Sequence, residues 1–95
     1  MKLSKAMLKG FEMVGGNQCK HDYCKGSPTA PQAVCAIGAA SLAACGNAYA
    51  ELHYCFLFRE QIKTFRSMVG VGIATLNDKG MSIPDIAGIA ASIEL

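Results

Sequence analysis

Charge is scarce in this chain. Only 17% of its 95 residues are Asp, Glu, Lys or Arg, against about a quarter in an average domain. The seven acids are scattered, so no pair of carboxylates at catalytic spacing stands out. The net charge is only +2, well short of the basic footprint of a dedicated nucleic-acid binder. No run of apolar residues is long enough to cross a bilayer: the continuous helical stretch at residues 33 to 45 spans about 20 Å, against a hydrocarbon core of about 30 Å. The first sixteen residues, MKLSKAMLKGFEMVGG, spread their lysines through the segment and have no clean apolar block, so they read as an amphipathic helix and not as a signal peptide. No phosphate-binding glycine loop is present either, because GVG at 70 to 72 lacks the remaining spacing and follows a helix. No cofactor and no enzymatic activity are therefore expected, and no membrane association.

What the chain does have is apolar mass, 52% of its residues. A domain of this length buries only about 60–65% of its unfolded surface, so the excess points to a homodimer or to a protein partner. The bland alternative is a core rich in Ala, Gly and Cys that inflates the count.

The periodicity predicts helices throughout. Over residues 2 to 14, Leu3, Ala6, Met7, Gly10, Phe11 and Val14 share one face, with Lys2, Lys5 and Lys9 opposite. Gly15, Gly16 and Asn17 stop that helix, and residues 16 to 30 read as an ordered loop. Pro31 suits a first helical turn, which predicts a second helix over 31 to 45, almost free of side-chain bulk. From residue 48 to about 69, Cys55, Phe58, Ile62, Phe65 and Val69 recur at 3-4-3-4 spacing, with Phe56 and Leu57 directed elsewhere so that the start of this third helix is buried on several sides. Gly70 and Gly72 predict a break before a short continuation through Leu76. Residues 77 to 80, Asn-Asp-Lys-Gly, read as a turn. Ser82 is then an N-cap with Asp85 three residues on, opening a last helix with Ile83, Ile86, Ala87, Ala90 and Ile93 inside. With no alternating strand pattern, the expected fold class is all-α: a single domain, 1 to 95, of four to five short helices around a small-residue central helix.

Three chemistries compete for the cysteines. Cys19, His21, Cys24 and Cys35 make a Cys₃His set of the kind zinc accepts, but the single knuckle is not answered by a second pair. A Cys24–Cys35 disulfide closes a short loop, worth about 3 kcal/mol in the chain-entropy model, and requires an oxidising compartment. A nucleophilic Cys35 with His21 or His53 as base has no local signature. The alternative is thiols packed as small hydrophobes, and with an odd cysteine count of five and no signal peptide the expected compartment is a reducing cytoplasm. His53 and the aromatics Tyr54, Phe56 and Phe58 read as core.

Two basic stripes are the candidate partner-binding residues: Lys2, Lys5 and Lys9 on the first helix, and Arg59, Lys63 and Arg66 on the third. They suit an acidic protein surface or, with six phosphate contacts, a nucleic acid. Their alternative is a solvated helix face diluted by Glu12, Glu51 and Glu60.

The pieces C-x-G at 24 to 26, A-V-C-A-I-G-A at 33 to 39, and Leu-Asn-Asp at 76 to 78 before a capped terminal helix resemble a family of small bacterial and phage proteins. Its members carry a Cys-x-x-Gly-Ala helix and a late Asn-Asp. They usually have a longer loop before the second cysteine and an aromatic where this chain has Leu76. The resemblance implies a compact helical domain and a phage or mobile-element origin, and it supplies no catalytic residues. The expected function is a small non-enzymatic interaction protein that binds and inhibits or modulates a host protein or defence complex. A nucleic-acid-binding regulator is the alternative, and a zinc-stabilised domain the second.

Overall fold

A computed structural model describes residues 1 to 49 and 57 to 94. Among them, five helices enclose a core to which a two-stranded antiparallel hairpin is attached: α1 (Leu3–Met13), β1 (Cys24–Ser27), β2 (Ala30–Val34), α2 (Ala36–Cys45), α3 (Arg59–Val69), α4 (Ile73–Asp78) and α5 (Ile83–Ile93). The expected all-α class is thereby corrected to a mixed one.

The hairpin occupies part of the expected loop and the expected start of the second helix. Pro31 is in β2, not in a first helical turn. It pairs with Gly26 next to a register shift, and Gly26 adopts φ 90. Proline is tolerated in strands at such irregularities because a missing N–H there breaks no ladder bond. β1 does not alternate in burial, and β2 alternates only between exposed and half-buried positions before Val34, so no apolar period-2 signal marked them. The helix begins five residues later than expected. Its N-cap is Cys35, whose sulfur accepts from Gly38 N at 3.3 Å, in the manner of a serine or threonine cap.

Both small-residue contacts at the centre are backbone-to-backbone. A Cβ on Gly10 of α1 would lie 1.9 Å from the Ala39 carbonyl oxygen, and one on Gly38 of α2 would lie 2.0 Å from the Tyr23 carbonyl oxygen. Glycine is required at both because no side chain fits between the approaching backbones. The bulkless face of α2 thus receives α1 on one side and the hairpin on the other, with Ala36, Ala39, Ala40 and Leu42 buried. On α1, Leu3, Ala6, Met7, Gly10 and Val14 are buried and Phe11 is half-buried, as the periodicity requires.

The chain ends meet. Ser4 at the start of α1 donates its backbone N–H and its hydroxyl to the two oxygens of Glu94, and a carboxylate there also complements the positive end of the helix. The predicted last helix is present, with Ser82 accepting from Asp85 N at 3.2 Å and Ile83, Ile86, Ala87 and Ala90 buried.

The third helix differs from its expected extent. Ala48 and Tyr49 are in a turn, and Ala48 N is held by Pro28 O of the hairpin at 2.8 Å. His53, Tyr54, Cys55 and Phe56 lie outside the described residues. Leu57, expected in a buried helix start, is 58% exposed in a turn before α3. The expected break is present: Gly70 takes φ 88 as a left-handed cap of α3, and α4 restarts at Ile73. Asn77 and Asp78 belong to the last turn of α4, so the turn is confined to Lys79 and Gly80. No described helix is long and apolar enough to cross a membrane.

Candidate functional site

The loop before the hairpin is positioned from below by Asn77. This side chain is fully buried. Its Oδ1 accepts from Ala36 N at 3.0 Å and from Gln18 Nε2 at 2.9 Å, and its Nδ2 donates to Cys19 O at 2.8 Å. Gln18 extends the network, donating to Met81 O and accepting from Ile83 N, both at 2.8 Å. One amide pair therefore ties the loop to the starts of α2 and α5 and to the end of α4. Satisfying this many backbone groups in a dry interior makes the junction rigid, because any unpaired member carries its full desolvation cost.

Asp78 holds the next part of the loop. Its Oδ1 accepts from His21 N at 2.8 Å, and its Oδ2 lies 3.4 Å from His21 Nδ1. His21 has φ 64, the one positive φ outside glycine among the described residues, and the carboxylate stabilises that left-handed conformation by engaging its N–H. The same N–H, more than any other influence, holds the Asp78 carboxyl below its ordinary range.

Above this loop is a cleft of about 590 Å³ between residues 21 to 23, the first turn of α2 and α4. Tyr23 and Tyr49 line it with ring centroids 5.9 Å apart at 83°, an edge-to-face pair. The Tyr49 hydroxyl donates to Asp22 Oδ1 at 3.4 Å. Its pKa is pushed up to about 12, first by its hydrogen bond with the Cys24 thiol, so it remains a phenol.

The four candidate metal ligands are close in sequence but their groups are directed apart. The Cys19 sulfur donates to Asp22 O at 3.5 Å and that of Cys24 to Gly26 O at 3.8 Å. Cys35 caps α2. These three thiols are buried, whereas the His21 side chain is 75% exposed. Among the described residues no group of three or more His, Cys, Asp or Glu is arranged to hold a metal ion. Cys19, Cys24 and Cys35 are free thiols, so the Cys24–Cys35 disulfide is not formed. Burial pushes the Cys35 thiol up to about 11 and raises that of Cys19, so both are protonated and poorly nucleophilic at neutral pH.

Both basic stripes reach the surface: Lys2, Lys5, Lys9, Arg59, Lys63 and Arg66 are all exposed. They do not form one patch by direct packing, since α1 packs chiefly on α2 and α5, and α3 on α4 and α5. On α3 only Phe65 is buried, with Ile62 and Val69 half-buried beside it. The exposed side carries Met68, 63% accessible, and Leu57 precedes it. Arg66 rims a groove of about 350 Å³ between α3 and α4, floored by Ile37 and Ile62.

The cleft and the Asn77 junction were not legible as sites. A buried asparagine has no sequence signature that separates it from a turn asparagine, and the Leu-Asn-Asp motif was its only trace. Comparison with protein-family models, curated proteins and solved structures finds no match.

Proposed function

We propose that this chain is a small non-enzymatic interaction protein whose α3 face docks an acidic segment of a protein partner. The observation that carries the reading is the composition of that face. Arg66, Lys63 and Met68 are all exposed on a helix held to the body largely through Phe65, and Arg66 stands over an apolar groove. Arg and Met are enriched at protein interfaces, and a groove that couples a cation to apolar walls suits an acidic side chain next to an apolar one. A cytoplasmic host protein or defence complex is the proposed class of partner, in keeping with the family resemblance.

The test is affinity capture from host lysate with the wild-type chain and with Lys63→Glu/Arg66→Glu. We expect the double variant to fold normally by circular dichroism and to lose a specific partner. Capture that survives charge reversal, or that nuclease treatment abolishes, overturns the reading, the second outcome in favour of nucleic acid.

A further inference from the structure

We propose that the cleft beside the hairpin is a binding site for a small organic ammonium ion with a compact apolar or aromatic body. The volume of about 590 Å³ lies within the range of small-molecule sites, about 300–1,000 Å³. Its walls divide by chemistry. Ile37 and Ala74 supply an apolar surface, Tyr23 and Tyr49 supply rings, and Asp22 and Asp78 supply carboxylates.

The two carboxylates are not equivalent. Both oxygens of Asp78 face His21, one through its N–H and one toward Nδ1, so its charge is engaged within the protein. Asp22 Oδ1 accepts from Tyr23 N at 2.8 Å and from the Tyr49 hydroxyl, while its Oδ2 has no hydrogen-bond partner among the described residues. Among the described residues Asp22 is therefore an oriented anion with one oxygen unengaged, held by bonds to the same two tyrosines that line the cleft. An ammonium group at that oxygen lies next to π faces that attract cations, and its apolar body is accommodated by Ile37 and Ala74. An anionic ligand meets the opposite: two carboxylates, with the imidazole already directed at one of them.

The cleft shares Ile37 and Ala74 with the groove beside α3, but Asp22, Asp78 and the two tyrosines line the cleft alone, so Asp22→Asn tests this site without altering the residues of the partner reading. Rigidity favours it. The loop that carries Asp22 and Tyr23 is held through Cys19 and His21 by Asn77 and Asp78, so little ordering is needed on binding.

The experiment is a two-dimensional ¹H–¹⁵N NMR titration of the full chain with 2-phenylethylammonium. Its neutral isostere 2-phenylethanol and the anion 3-phenylpropionate serve as controls. We expect saturable shifts confined to residues 21 to 23, 35 to 37 and 74 to 78, with the alcohol and the anion each weaker by about tenfold or more, the factor that one lost charge-assisted contact represents. Asp22→Asn, at an exposed position, is expected to fold and to weaken the amine by about tenfold while leaving the alcohol unchanged. Tyr49→Phe, which keeps the ring, is expected to retain more affinity than Tyr49→Leu. Equal binding of amine and alcohol, preference for the anion, unsaturable shifts, or an Asp22→Asn variant that binds the amine as the wild type does would each overturn the proposal.

Discussion

Asn77, in the last turn of α4, and α3, which packs on α4, are built on contrary terms. Around Asn77 two backbone groups and the Gln18 side chain converge on one buried amide, and at the contacts of α2 Gly10 and Gly38 admit no added atom. Along α3 one residue in eleven is buried, and cations and a methionine project into solvent. The first region tolerates almost no change because each of its atoms has an assigned neighbour. The second is chemically free, since substitutions there alter what the surface offers without altering what it rests on. Burial is thus concentrated around Asn77 and the α2 contacts, while α3 is left to present cations and a methionine to solvent.

The comparison breaks most readily at the glycines. Gly38→Ala and Gly10→Ala each drive a methyl group into a carbonyl oxygen, and each is expected to lower the unfolding free energy by about 3 kcal/mol, measured by denaturant titration. A loss below the noise of that measurement would show that α1, α2 and the hairpin can separate at little cost. Next is Asn77→Ala, which strands the Ala36 N–H and the Cys19 carbonyl and is expected to cost about 2–3 kcal/mol, with amide exchange rising first at residues 18 to 21 and 36. The cap at Cys35 is worth less: Cys35→Ala is expected to cost about 1 kcal/mol and Cys35→Ser about half of that or less.

The Cys35 thiol also gives a pH signature. The folded chain holds this proton more tightly than the unfolded one, at about 11 against an ordinary 9.0. Its contribution is therefore complete below pH about 9 and is lost as pH rises toward about 11. Melting temperatures across that window should fall less steeply in Cys35→Ser than in the wild type. The smallest effect is expected on α3, where Lys63→Glu/Arg66→Glu should change stability by no more than about 0.5 kcal/mol while abolishing partner capture. A large destabilisation there would mean that the basic face is structural after all.

Much of the helical frame was legible. The faces of α1 and α5, the break at Gly70 and the Ser82 cap all follow from local rules, because helical burial repeats at 3.6 residues and caps depend on a few adjacent atoms. The hairpin was not legible. Cys24–Ser27 does not alternate and Ala30–Val34 alternates only between exposed and half-buried residues, and Pro31 reads equally well as a helix start when its partner Gly26 is not known to be opposite. The basic residues of α3 were found because charge at helical spacing is visible in one dimension. The cleft was missed because Asp22, Tyr23, Tyr49 and Ala74 come from three separated segments.

The sequence by itself determined the apolar faces of α1 and α5, the break at Gly70, the Ser82 cap, and that α2 has no bulk. Those properties depend on neighbours within one or two turns. Only the tertiary structure decided what α2 packs against, that Cys35 is its N-cap, and that Asn77 is a buried clasp instead of a turn residue. The packing of α2 and the Asn77 clasp depend on contacts distant in the chain, such as Ala36 to Asn77, 41 residues apart, or Gln18 to Ile83, 65 residues apart. Their energy comes from pairing backbone groups that the local sequence leaves unassigned.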